Sequence, residues 1–71
     1  MERNEFRDIL SSYLKENNLT QTKFADIVGV KQSQVSEWLK GKAKPAYDLL
    51  RQIVINTDTN ANFWLGLTDE Y

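Results

Sequence analysis

The sequence predicts an all-α domain, a compact bundle of about five short helices. Three observations predict it. Apolar residues recur three and four positions apart, the period of one helix face. Between these stretches stand Asn, Thr, Gly and Pro, the residues that start and stop helices. No stretch of useful length alternates apolar with polar residues as a strand does, and there is no internal repeat.

Phe6, Ile9, Leu10, Tyr13 and Leu14 form one apolar face of a helix from about Asn4 to Glu16, which Asn17-Asn18 ends. Thr20 reads as the N-cap of a second helix, Gln21 to Val28, its hydroxyl accepting from amides of the next turn. Leu19 before the cap and Phe24 inside the helix have the spacing of a hydrophobic staple. This helix is expected to bury Phe24, Ile27 and Val28 with Ala25 beside them, and Gly29 to close it in the left-handed conformation. After a turn through Val30 and Lys31, a third helix runs from Gln32 to about Lys40 and stops at Gly41. Pro45 ends the following loop and suits the first turn of a fourth helix, whose apolar set is Tyr47, Leu50, Ile53 and Val54. Asn56-Thr57-Asp58-Thr59 breaks that helix. Asn60 caps a last short one bearing Phe63, Trp64 and Leu65, and Gly66 stops it.

The composition excludes several functions. The chain has 71 residues, room for one domain, and a domain this small buries only about 60% of the surface its unfolded chain exposes. It has no Cys, so neither a disulfide nor a thiolate nucleophile is available. It has no His, the usual general base near neutral pH and the commonest metal ligand. The carboxylates are scattered apart from Asp69-Glu70. No catalytic residue, metal, cofactor or small-molecule ligand is therefore expected, and the chain does not read as an enzyme. No apolar run approaches the roughly 20 residues of a membrane span, and the N-terminus lacks the pattern of a signal peptide, so the expected location is cytoplasmic.

Net charge is −1, whereas a nucleic-acid binder is expected to be basic. The distribution is more informative than the sum. Residues 1–30 carry −1. Residues 31–44, with Lys31, Lys40, Lys42 and Lys44 against Glu37, carry +3, and residues 45–71 carry −3. A single short stretch is basic.

That stretch overlaps the most informative segment, Gln21 to Lys40, read QTKFADIVGVKQSQVSEWLK. Two short helices meet across a turn of about three residues containing glycine, which is the layout of a helix-turn-helix. Ala25 is small where the helices approach most closely, and Gly29 permits a positive φ in the turn. Phe24, Val28, Val30, Val35 and Trp38 supply the core that fixes the angle between the helices. At about 100° per residue, Gln32, Ser33, Ser36, Glu37 and Lys40 share one arc of the third helix, opposite Val35 and Trp38. The first turns of this polar face hold Gln and Ser instead of the Glu and Lys pairs of a merely solvated face. Gln can bond adenine bidentately in the major groove, and Ser can bond several bases.

On these residues the chain resembles the DNA-binding domain of the lambda-type phage repressors and the wider XRE family of bacterial regulators. The matching stretch is LTQTKFADIVGVKQSQVSEWLKGK, followed by Pro45 and the NFWLGL close. The resemblance implies a bundle of about five helices with the third lying in the major groove of double-stranded DNA. It implies that Gln21 contacts a phosphate and braces Gln32, which reads adenine. It implies base contacts by residues at Ser33, Ser36 and Glu37. Phosphate contacts are expected from Lys31, Lys40, Lys42 and Lys44. The implied activity is that of a transcriptional regulator, a repressor, acting as a homodimer on a near-palindromic operator. An autoregulating antitoxin, or an interaction domain that has lost DNA binding, are the alternatives. Phe63, Trp64, Leu65 and Leu67 crowd four large apolar residues into five positions. The dimer contact is expected there, through Phe63, Trp64 and Leu67, with Trp64 partly exposed as an anchor. The ending Leu67-Thr68-Asp69-Glu70-Tyr71 reads as the exit from one domain toward a second.

Three residues depart from the family pattern. Lys31 stands where a Ser or Thr cap is usual, Glu37 places a negative charge on the DNA face, and Thr57 replaces a leucine that closes the fourth helix. That corner is expected to fray.

Overall fold

The computed structural model describes residues 5–71 and holds five helices, with no strand among the described residues. They are α1 (Phe6–Glu16), α2 (Gln21–Val28), α3 (Gln32–Leu39), α4 (Tyr47–Thr57) and α5 (Ala61–Trp64). The expected all-α bundle is present. The expected start of the first helix at Asn4 lies outside the described residues.

The spacing of Phe6, Ile9, Leu10, Tyr13 and Leu14 places all five on one side of α1, and all five are buried. They form the floor on which α3 and α5 pack. Asn17 and Asn18 end the helix as expected. Asn18 takes φ 55, the Asn17 amide donates to the Tyr13 carbonyl at 2.9 Å, and the Leu19 N–H returns to the Leu14 carbonyl. Thr20 then caps α2, its Oγ1 accepting from the Lys23 N–H at 3.0 Å.

On α2 the buried residues are Phe24, Ala25 and Val28. Ile27, expected inside, is exposed. The reason is angular: at about 100° per residue, Phe24, Val28 and Ala25 span one 100° arc, and Ile27 stands about 60° outside it. Gly29 closes the helix at φ 89, and its N–H and that of Val30 both bond the Ala25 carbonyl. Val30 is half-buried, while Gly29 itself is exposed at the turn.

On α4, Ile53 is fully buried and Leu49, Leu50 and Val54 pack against the core. Tyr47, expected in the apolar set, is 77% exposed. It opens the helix about 120° round from Ile53, beyond the inward arc. Pro45 is not in the first turn of α4. It precedes Ala46, which occupies the N-cap position. The polar run from Asn56 to Thr59 ends the helix as expected: Asn56 and Thr57 are its last residues and Asp58 closes it at φ 55. This corner does not fray. Thr57 Oγ1 lies 2.7 Å from both the Ile53 carbonyl and Thr59 Oγ1, and Trp64 Nε1 donates to Thr59 Oγ1 at 2.7 Å.

That chain of bonds corrects the expectation for Trp64. It is 2% exposed. A buried indole needs an acceptor for its N–H, and Thr59 provides one. The ring packs with Phe6, Tyr13, Phe24 and Phe63 at centroid distances of 5.8, 5.0, 6.2 and 5.0 Å. Phe63 is buried as well. The excess apolar residues of the closing segment are Leu65 and Leu67, 54% and 72% exposed. Because α5 is a single turn, its two aromatics face inward and Leu65 follows as the C-cap.

The last residue folds back. The Tyr71 ring lies 5.2 Å from Tyr13 and 4.8 Å from Phe63, its hydroxyl donates to Glu16, and its carbonyl accepts from the Asn60 N–H.

Candidate nucleic-acid interface

The angle between α2 and α3 is held from inside. Phe24, Val28, Val35 and Trp38 have no exposed surface and Ala25 has 2%. The Trp38 ring meets Phe6 edge-on at 5.8 Å, which ties α3 to α1. Truncating a buried aromatic of this kind costs about 3–5 kcal/mol, a large share of the stability of a small domain.

A further tie fixes the turn. Val28 ends α2, so its carbonyl has no partner within the helix. Two amides of α4 supply donors: Gln52 Nε2 at 2.5 Å and Asn56 Nδ2 at 3.0 Å. These two residues were not identified from sequence. Two amides four apart on a helix are a visible pattern, but nothing in the sequence names their acceptor. Gln52 also explains why a side chain at Gly29 would be unwelcome beyond its φ, since a Cβ there would come within 3.1 Å of Gln52 Nε2.

Against this frame α3 presents its polar arc. Gln32, Ser33 and Lys40 are exposed, and Ser36 and Glu37 are half-buried beside them. The Gln32 Nε2 donates to Gln21 Oε1 at 2.7 Å, so the first residues of α2 and α3 are joined side chain to side chain. Lys31 occupies the N-cap of α3 with an extended backbone and no side-chain cap, as its residue type requires. Helix α3 ends at Leu39. Lys40 is its C-cap, and Gly41 follows at φ 78 with its N–H on the Trp38 carbonyl. Lys31, Lys40, Lys42 and Lys44 are all exposed. Lys44 lies 3.8 Å from Glu5, an exposed pair worth little net stability.

The geometry thus brings Gln21, Gln32, Ser33, Ser36 and Glu37 to one side of the α2/α3 pair, with lysines before the helix and after it. Helix N-termini and lysines suit phosphate oxygens, and an amide or hydroxyl face suits base edges. The dimer residues expected from sequence are not part of this surface, and two of them, Phe63 and Trp64, are interior. Near them lies a groove of about 460 Å³ lined by Tyr47, Leu50, Arg51, Val54, Ile55, Ala61 and Leu65.

Among the described residues no group of acidic residues is arranged to hold a metal ion. No described helix is long and apolar enough to cross a membrane. No curated protein and no solved structure matches the chain. The helix-turn-helix family matches residues 10–63, a span running from α1 to α5 that includes every residue of the α2/α3 face described above. The chain belongs to that family, with a lambda-repressor-like helix-turn-helix of the XRE type, the fold of DNA-binding transcription regulators.

Proposed function

We propose that this chain is a repressor that binds a near-palindromic duplex as a homodimer, with α3 in the major groove. Gln32, Ser33, Ser36 and Glu37 read base edges. Gln21, Lys31, Lys40, Lys42 and Lys44 hold phosphates.

The observation that carries the reading is the direction of the bond between the two glutamines. Gln21 gives its oxygen to Gln32. Its amide nitrogen is left to donate, and a phosphate only accepts. Gln32 uses one of its two N–H groups in the bond. It keeps one donor and its oxygen, the pair that matches N7 and N6 of adenine. Both side chains are set in position before DNA arrives, which lowers the ordering cost of binding.

The exposed Leu65 and Leu67, next to the apolar groove between α4 and α5, support pairing of two copies at that end. Leu65 takes the place of the buried Phe63 and Trp64 in that role, beside Leu67. A two-fold pair sets its recognition helices about 34 Å apart, one turn of duplex, so the half-sites repeat about every 10 base pairs.

The test is selection of binding sites from random duplexes by the intact chain. The reading predicts inverted half-sites at that spacing with an adenine in each. Recovery of unrelated sequences, or of single sites without an inverted repeat, would overturn it.

A further inference from the structure

A second polar surface lies behind the turn that follows α3, and the first helix builds half of it. A pocket of about 250 Å³ is lined by Glu5, Arg7, Trp38, Gly41, Ala43 and Lys44. That is several times the roughly 30 Å³ a water molecule occupies in the liquid. The Arg7 side chain lies over Gly41. A Cβ built there would meet Arg7 Nη1 at 2.9 Å and Cδ at 3.0 Å, so the glycine leaves the guanidinium room to rest on the turn. Lys44 stands on the other side, its ammonium 3.8 Å from the Glu5 carboxylate. The wall between is the Trp38 indole. Its N–H is buried and has no hydrogen-bond partner among the described residues, the one side-chain atom there of which this is so.

We infer that this pocket is a seat for a phosphate oxyanion, with Arg7 and Lys44 as its cations and the buried Trp38 indole as its wall. The inference rests on the DNA-binding reading for its source of phosphate, and it adds α1 to the interface. Gly41 stands between Lys40 and Lys42, so a duplex whose backbone meets those lysines passes beside Arg7. Arg offers a fork of donors that fits two phosphate oxygens at once. Glu5 and Asp8 are the competing anions: Glu5 lies 3.8 Å from the Lys44 ammonium, and Asp8 Oδ1 lies 4.0 Å from Arg7 Nε. Each gives up its cation when a phosphate arrives, so the two acids make binding weaker than the cations alone would.

Two sources share this chemistry, the phosphodiester backbone of a duplex and free inorganic phosphate. The experiment has an arm for each. In the first, a mixed-sequence 20-base-pair duplex is titrated into the wild-type chain, Arg7→Gln, Lys44→Gln, Glu5→Gln and, as a control outside the pocket, Lys40→Gln. Arg7→Gln and Lys44→Gln are expected each to flatten the dependence of log K on log salt by about 0.9, and Glu5→Gln to tighten binding several-fold. In the second, inorganic phosphate replaces chloride at constant ionic strength while the ¹H–¹⁵N resonance of the Trp38 indole is followed. A shift in wild type that Arg7→Gln abolishes assigns the seat to free phosphate as well. A folded Arg7→Gln protein that keeps the wild-type slope, with no indole shift in the second arm, overturns the inference, whatever Lys44→Gln does. If Lys40→Gln lowers the slope in that same series, DNA binding stands and only the seat is lost. If no variant and no wild-type chain binds the duplex, the DNA reading fails, and the indole shift alone decides the seat.

Discussion

Gln32 Nε2 donates to Gln21 Oε1 at 2.7 Å, and this bond joins the first turns of the two helices of the motif. It makes the two glutamines a unit, and the proposed function gives its halves different tasks. Gln32→Ala is expected to cost about 1–3 kcal/mol on the selected site and to relax preference at one base pair. Gln21→Glu keeps an acceptor for the Gln32 amide but turns a donor toward phosphate into a repulsive charge, so it is expected to weaken all duplexes alike. Binding curves on the selected site and on single-base variants separate the two patterns. A Gln32→Ala protein that binds as tightly and as selectively as the parent contradicts the assignment.

The Val28 carbonyl accepts from both Gln52 and Asn56, which anchors the helix-turn-helix to α4. Removing one amide leaves the other, so Gln52→Ala or Asn56→Ala alone is expected to cost about 1 kcal/mol. The double variant strands a carbonyl on a fully buried residue and is expected to lose more than the sum of the singles. For a domain of this size each kcal/mol is worth roughly 4–8 °C in melting temperature. A thermal double-mutant cycle checks it, and strict additivity would mean that the two amides do not share an acceptor.

Alkaline pH is expected to loosen the closing segment. The hydrogen bond to Glu16, then burial and the Glu16 charge, raise the Tyr71 phenol above its ordinary 10.0. Burial raises Tyr13, with the Thr57 hydroxyl acting in the opposite direction. A phenol whose pKa is higher folded than unfolded adds stability that is fully present below pH 10 and is lost as pH rises through the folded value. Melting temperatures from pH 8 to 11 are therefore expected to fall. Tyr71→Phe, which lacks the Glu16 bond, should start lower and fall by less. Identical slopes in the two proteins would show that Tyr71 takes no part.

Much of this molecule is legible in its sequence because the signals are local. Thr20, Asn60 and the three glycines mark helix ends by backbone chemistry that needs no tertiary information, and each acts as expected. The same holds for the apolar stripe of α1 and for the polar arc of α3. The errors lie where burial depends on what packs opposite. Ile27 and Tyr47 are apolar residues at the margins of their helices' inward arcs, and only the position of the neighbouring helices decides their exposure. Crowding alone points to an exposed Trp64, but the Thr59 hydroxyl five residues earlier makes an interior site for the indole and moves the surplus to Leu65 and Leu67. Thr57 reads as a defect in the sequence and acts as the first member of that polar chain. In the candidate interface, the Gln21–Gln32 pair was legible through the family resemblance. The place of Arg7 over Gly41 was not, since no spacing rule links the first helix to the turn after the third.

The central claim is that the basic stretch around α3 holds duplex phosphates while the chain as a whole is acidic. The most direct measurement is the affinity for the selected duplex between about 50 and 200 mM salt, in wild type and in Lys40→Ala, Lys42→Ala and Lys44→Ala. Contacts by Lys31, Lys40, Lys42 and Lys44 predict a slope of about −3.6 per subunit in log K against log salt, or about −4.5 with Arg7 as a fifth contact, and each substitution is predicted to flatten it by about 0.9 on every sequence. A slope near zero, or one that the lysine substitutions leave unchanged, would contradict the account.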